Sequence, residues 1–343
     1  MHPLPLRLLL SGILTLTAAA CGHAADTYRL LHEIPVGGEG GWDCLSVDPV
    51  GHRLYVSHAS KAVVIDTQTD KVVGEIADTP GIHGIAVAAK FGRAFTSNGR
   101  ENKASIVDLT TLQTLAKVET GANPDLILFE PGQGEVYAFN ARGASVTVIA
   151  AATGTVTATL PLGGKPEFAA ADPAAHRVFV NIEDKNEVAV IDTQTHTVTA
   201  RWPIAPGEEA TGLDIDLAHH RLFLGCSNAR LLVLDSTDGH IVANLPAGQG
   251  IDGAAFDPGT QLAFTSNGRD GTATIVHEDT PDKFTVVQTL TTAPGARTMA
   301  VDPVSHKIYL PSAQFEAPVA GSTARPKMIA GSFKVLVYEL GLP

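Results

Sequence analysis

Seven polar residues recur at a regular spacing along the chain: Asp43, His83, Asp125, Glu167, Thr211, Asp252 and Arg297. Such a set suits hydrogen bonding to a small polar ligand, cation binding or acid–base chemistry. Carboxylates crowded away from water repel one another, so either a pKa rises or a cation enters. Arg297 and His83 can neutralise part of that charge themselves. A narrower donor set is Asp43 with His58 and His83, two imidazoles and one carboxylate of the kind that holds a divalent metal. No close i, i+2 or i, i+4 ligand pair adjoins it. The plainer reading is that the seven groups cap turns and hold ordered water in a wet channel.

Each of the seven stands five residues before a recurring marker. The marker is an acid followed by proline at Asp48-Pro49, Glu130-Pro131, Asp172-Pro173, Asp257-Pro258 and Asp302-Pro303, and Ala88-Ala89 and Asp216-Leu217 hold the same place. Successive markers lie 40 to 45 residues apart, the period of a propeller blade. Seven residues after each marker comes an aromatic: Tyr55, Phe95, Tyr137, Phe179, Phe223, Phe264 and Tyr309. Only 6 % of the chain is Phe, Trp or Tyr, so that recurrence defines the register.

Each unit divides into strands. In the first, Leu45 and Val47 lead to the marker turn, followed by Arg53–Val56, Val63–Ile65 and Val72–Ile76. β-branched runs punctuated by Pro, Gly, Asp and Thr predict strands and turns. The last unit supplies no fourth strand after Val335-Leu336-Val337, whereas Tyr28–Gly37, ahead of the first unit, reads like the fourth strands elsewhere. The expectation is an all-β, seven-bladed β-propeller of four-stranded antiparallel blades, closed by the N-terminal strand completing the last blade. Closure leaves only short, protected sheet edges.

The units at 53–57 with 62–76, and at 177–198 (RVFVNIEDKNEVAVIDTQTHTV), resemble the YVTN repeat family of bacterial β-propellers. The resemblance spans nearly all of the chain after its first 25 residues and implies a propeller exported to the periplasm or the cell surface. Streptogramin lyases and bacterial lactonases are propeller relatives with enzymatic sites. On that analogy a lactonase or lyase would use Asp43, His83, Asp125, Glu167 and Asp252 as metal ligands and Arg297 as oxyanion stabiliser.

A second ring lies ten residues after each marker: His58, Asn98, Asn140, Ile182, Cys226, Asn267 and Ser312. Two of its loops share the sequence TSNGR (96–100 and 265–269), and Asn-Gly predicts a tight turn with positive φ. Arg100, Arg142 and Arg269 follow on the same face, free to bind anions or to pair with Glu101 and Asp270. Trp42 offers an aromatic wall or packing between blades. His219-His220 falls on the opposite face and reads as solvated. A long insert, 313–332, separates the second and third strands of the last blade and carries Arg325 and Lys327. Inserts of that length act as lids or as tolerated surface additions.

Residues 1–25 read as a signal peptide, with Arg7 ahead of an uncharged apolar run, Leu8 to Ala20, and small residues at Ala24 and Ala25. That run is too short to span a bilayer comfortably, so no transmembrane segment is expected in the mature chain. Cys21 after three alanines makes a lipid anchor the alternative to soluble periplasmic or secreted export. The remaining cysteines, Cys44 and Cys226, fall in different blades and read as free buried thiols. A formal net charge of −12 without any Lys/Arg run argues against nucleic acid as a partner.

No Gly-x-Ser-x-Gly elbow, His-Glu-x-x-His, Cys-x-x-Cys or haem attachment motif occurs. The preferred expectation is a monomeric binding or scaffold propeller that recognises a small ligand or a protein partner at the channel mouth and requires no cofactor. The alternative is the metal-assisted lactonase or lyase, with a divalent ion as cofactor.

Overall fold

A computed structural model describes residues 27–317 and 326–341. The signal segment, Cys21 and Arg325 lie outside the described residues. Among the described residues twenty-eight strands form seven four-stranded antiparallel sheets, so the fold is the seven-bladed propeller that the repeat predicts. Apart from two short 3-10 turns, Ala89–Phe91 and Glu183–Lys185, no helix occurs among the described residues. Blade one contains Leu45–Asp48, Arg53–His58, Lys61–Asp66 and Lys71–Ile76, each strand pairing with the next. Blades two to six repeat that meander. Blade seven is closed by Thr27–Pro35, which pairs antiparallel with Lys334–Gly341 from Thr27 opposite Gly341 to Pro35 opposite Lys334.

The marker acid has a local job. Asp48 accepts hydrogen bonds from the N–H groups of Val50 and Gly51, and Glu130 accepts them from Gly132 and Gln133. Asp172, Asp216, Asp257 and Asp302 do the same in their turns. Each carboxylate is buried, and each supplies the acceptor that those turn N–H groups would otherwise lack. Blade two has Ala88 there and forms the Ala89–Phe91 3-10 turn instead, ended by Gly92 at φ 64°.

All seven register aromatics are fully buried, packed in the clusters between blades. A further device joins neighbours. Arg53, Arg93, Arg177 and Arg221 reach out of one blade to a backbone carbonyl in the outer turn of the next: Leu109, Ala151, Ser236 and Pro281 respectively. In blade three Glu135 replaces arginine and pairs with His196 of blade four. Hydrophobic burial thus sets the spacing of the blades, and charge-assisted hydrogen bonds fix their angle. Cys44 and Cys226 are free and buried, as expected.

Candidate functional site: the channel mouth

All seven residues of the first ring line one cavity of about 270 Å³ at the mouth of the central channel. The apolar positions that follow them, among them Leu45, Ile85, Ile127 and Leu213, turn into the core and leave the polar groups at the strand entrances. His83 stands between two carboxylates: Nδ1 lies 2.6 Å from Asp43 Oδ2 and 2.8 Å from Asp125 Oδ1. Across the ring Arg297 lies 3.1 Å from Asp252 and 3.4 Å from Asp43, and donates to the Trp42 carbonyl at 3.0 Å. Thr211 is committed to structure, its Oγ1 donating to the Ile251 carbonyl at 3.1 Å.

Two members of this cavity are not part of the repeat pattern. Lys165 holds Glu167 at 2.6 Å and also pairs with Glu183. Glu183 sits in a 3-10 turn between the second and third strands that only blade four has among the described residues, so no register position marks it. A second overlooked set supports the mouth from beneath. Nine residues after their markers, the fully buried Ser57 and Ser97 accept hydrogen bonds from the N–H groups of Asp43 and Gly84. At the same place Asn181 donates to the Thr211 and Gly212 carbonyls, and Ser266 to that of Arg297. A small polar residue inside an otherwise apolar strand is the sequence signal for this layer.

The electrostatics follow from burial. For His83 burial disfavours charge, but hydrogen bonds to Asp125 and Asp43 outweigh it and lift the pKa to about 10, so the imidazolium is the neutral-pH form. Desolvation pushes Glu167 up to about 7 against the pull of Lys165, which Glu183 shares. Asp252 rises to about 6, again from burial, with Arg297 opposing. Burial and the neighbouring Asp43 charge drive the Cys44 thiol upward, which makes it a poor nucleophile.

Two further cavities share this rim. One of about 450 Å³ is lined by Trp42, Asp43, His83, Arg100, Asp125, Arg142 and Arg297, among others. Arg100 and Arg142 are exposed, and among the described residues neither has a carboxylate within ion-pairing distance. The acids expected to pair with the rim arginines are engaged elsewhere: Glu101 with Lys117 at 2.9 Å, and Asp270 with the Gln249 N–H. The other cavity, about 780 Å³, is bounded by Trp42, Arg297, Phe315, Lys327 and Met328. Phe315 and Met328 belong to the insert, whose two ends form a short ladder at Glu316–Lys327 and Gln314–Ile329. Phe315 meets Trp42 at 6.0 Å between ring centroids, so the base of the insert forms one wall of the mouth.

The second ring is structural. Asn98, Asn140 and Asn267 are fully buried and donate to hydroxyls of their own blade: Ser105, Ser145 and Thr147, and Thr272 and Thr274. The Asn-Gly pairs do not take the predicted positive φ; those conformations fall later in the loops, at Asn102 and Gly271. Glycine is needed for closeness instead. A Cβ at Gly99 would lie 2.7 Å from His83 Nε2, and one at Gly268 would lie 2.6 Å from Arg297 Cβ.

The donor set Asp43, His58 and His83 does not assemble. His58 is buried and stacked on Phe333 with centroids 4.2 Å apart, and burial, with Lys61 adding, lowers its pKa. Asp125 takes its place: ligand atoms of Asp43, His83 and Asp125 all lie within 4.8 Å of one another. The expectation of a solvated His219 also fails, since His219 contacts the buried carboxylates of Asp216 and Glu278.

The fold and the polar mouth define the class: a seven-bladed β-propeller with a charged pocket at one end of its channel. No family model and no curated protein matches the sequence. Solved structures do match in shape. A chain of the Kuenenia stuttgartiensis hydrazine synthase structure aligns with a TM-score of 0.70 at 16 % identity, over 85 % of this chain and 96 % of that one. A chain of a mitotic checkpoint complex structure aligns with a TM-score of 0.76 at 10 % identity, over 98 % and 99 %. At such identities the likeness shows the fold alone. Among the described residues no helix is long and apolar enough to cross a membrane.

Proposed function

We propose that this chain is an exported binding propeller of the YVTN repeat type that takes a small ligand at the channel mouth. The observation that carries the reading is the convergence of all seven ring residues on one cavity that adjoins the arginine-lined and apolar ones. The ligand this chemistry fits is a small polyhydroxylated or amino-bearing anion. Its acidic group meets Arg100 and Arg142, and its N–H or O–H groups reach the carboxylates Asp43, Asp125 and Glu167. An apolar portion lies against Trp42 and Phe315. Planar guanidinium groups free of protein carboxylates suit a carboxylate or phosphate. Concave sites with a few convergent polar groups on a rigid scaffold are where ligands bind.

A thermal-shift screen of the mature protein with sugar acids, small carboxylates, lactones and sugars tests this reading. A rise in the wild type that is absent from Asp125→Ala/Glu167→Ala supports it; no shift with any compound points to a protein partner instead. Export is proposed on the 1–25 segment and is checked by fractionation and by the mass of the mature chain. Cleavage after Ala24 or Ala25 gives the soluble form, and lipid on Cys21 gives the anchored one.

One observation favours the metal-assisted lactonase or lyase as a second reading, namely the approach of Asp43, His83 and Asp125. A cation there would polarise a lactone carbonyl, with Arg297 beside the developing oxyanion. It would first have to displace the imidazolium proton that bonds to Asp43 beside Asp125. Lactone hydrolysis that is lost on chelation and in Asp125→Asn would establish this reading over simple binding.

A further inference from the structure

On the face opposite the mouth a second histidine–carboxylate cluster joins blades five and six. Asp216 is the marker acid ending the strand Ala210–Asp216, and His219 lies in the turn that follows. Glu278 comes from the third strand of blade six, Thr272–Thr280, which runs longer than its counterparts and brings the residue across the blade boundary. Asp216 and Glu278 are 3 % and 1 % exposed. His219 Nδ1 lies 2.6 Å from Asp216 Oδ2 and 2.9 Å from Glu278 Oε1.

These short approaches are not hydrogen bonds. His219 Nδ1 and both Glu278 oxygens are buried atoms without an aligned donor or acceptor. Two other histidines that meet a buried carboxylate across a blade boundary behave differently. His306 bonds to Asp257 at 2.7 Å and His196 bonds to Glu135 at 2.7 Å, each with the ring nitrogen aligned on the carboxylate. A buried carboxylate with no donor costs several kcal/mol. The neighbouring cation does not relieve it, because Arg221 is taken up by Asp235, Asp282 and the Pro281 carbonyl. What the three side chains share is lone pairs converging from two blades on one point.

We propose that Asp216, His219 and Glu278 form a divalent-cation site, with Zn²⁺ the best-matched ion, that clips blade five to blade six. Mixed imidazole and carboxylate donors suit Zn²⁺, whose bonds of about 2.0–2.2 Å need these atoms to part only slightly. The ion would supply the aligned partner that Glu278 lacks and would bridge two elements far apart in the sequence, which is a structural role.

The test is Zn²⁺ titration of the EDTA-stripped chain, read by calorimetry and by thermal midpoint. Glu278→Gln, His219→Gln and the mouth variant Asp125→Asn are compared with the wild type. Glu278→Gln keeps the shape and removes a buried charge, so it folds. The expected result is a Zn²⁺-dependent rise in midpoint for the wild type and for Asp125→Asn. In Glu278→Gln and His219→Gln the rise disappears and affinity falls by about a hundredfold or more, since even groups that only orient ligands cost 10–100-fold. A wild type with no rise, or a rise kept in both Glu278→Gln and His219→Gln, overturns the proposal. A rise lost only in Asp125→Asn places the ion at the mouth and overturns it equally.

Discussion

Among the described residues the same three groups, one imidazole and two carboxylates drawn from neighbouring blades, come together twice. At the mouth, Asp43, His83 and Asp125 each keep roughly a fifth to a quarter of the side chain exposed. His83 there makes an aligned hydrogen bond, and Arg297 and Lys165 stand in the same cavity. On the opposite face Asp216 and Glu278 are sealed in, and His219 makes no aligned bond. Burial and alignment, not residue type, separate the two. The first cluster is balanced by its own cations, can exchange with water and is open to a ligand. The second leaves Glu278 without an aligned donor.

The largest effect that separates them is on stability without added metal. His83→Ala removes the imidazole that pairs with two acids and should cost about 2–3 kcal/mol, less than the 3–5 of a fully buried pair because both carboxylates still reach water. His219→Ala in EDTA should cost under about 1 kcal/mol, because no aligned hydrogen bond is lost. Denaturant unfolding measures both, and equal costs would erase the distinction. Next comes the structural ring. Asn98→Ala removes the bonds to the Thr96, Glu101 and Ser105 side chains, leaving Glu101 its Lys117 contact, and should cost about 2 kcal/mol. Its ligand-induced shift should nevertheless remain, as a thermal-shift comparison at matched ligand would reveal.

A smaller effect concerns pH. Glu167 and Asp252 have folded pKa values of about 7 and about 6, above their ordinary values, so the folded state binds more protons. Their contribution to stability is fully present below about pH 4 and is lost as pH rises to about 7. His83, raised to about 10, contributes fully below about pH 6.5 and loses that contribution as pH climbs through 10. Glu167→Gln should therefore stabilise the fold by about 1–2 kcal/mol at pH 8 and by little at pH 4, a difference that melting at the two pH values would expose. Smallest in stability is Arg142→Ala, expected within about 0.5 kcal/mol of the wild type because the side chain is exposed. Its cost should appear as weaker binding of anionic ligands alone.

The blades were legible in the sequence because each carries its own register. A turn-capping acid, in every blade but the second, and an interblade aromatic, in all seven, recur seven residues apart, and both are set by local geometry. The mouth ring was legible for the same reason, since Asp43 to Arg297 all occupy one register position. Features made by two blades together were not. Lys165 and Glu183 belong to an irregular turn of blade four, and the reach of Arg53 or Arg221 ends on a carbonyl that no side-chain pattern marks. Glu278 meets Asp216 only because one hairpin of blade six is extended. His58 shows the converse. Its register position is that of a mouth residue, but Phe333, just beyond the insert, stacks on it and takes it out of the ring. In TSNGR the Asn-Gly signal is better explained by the space that His83 and Arg297 need than by turn conformation.

The central claim is that the mouth, and not the opposite face, takes the ligand. Its most direct test is a thermal-shift screen of small anions, with Asp125→Ala/Glu167→Ala beside Glu278→Gln. The expected result is a ligand-dependent rise in the wild type and in Glu278→Gln that vanishes in the mouth double variant. A rise that survives in the double variant and vanishes in Glu278→Gln would contradict it.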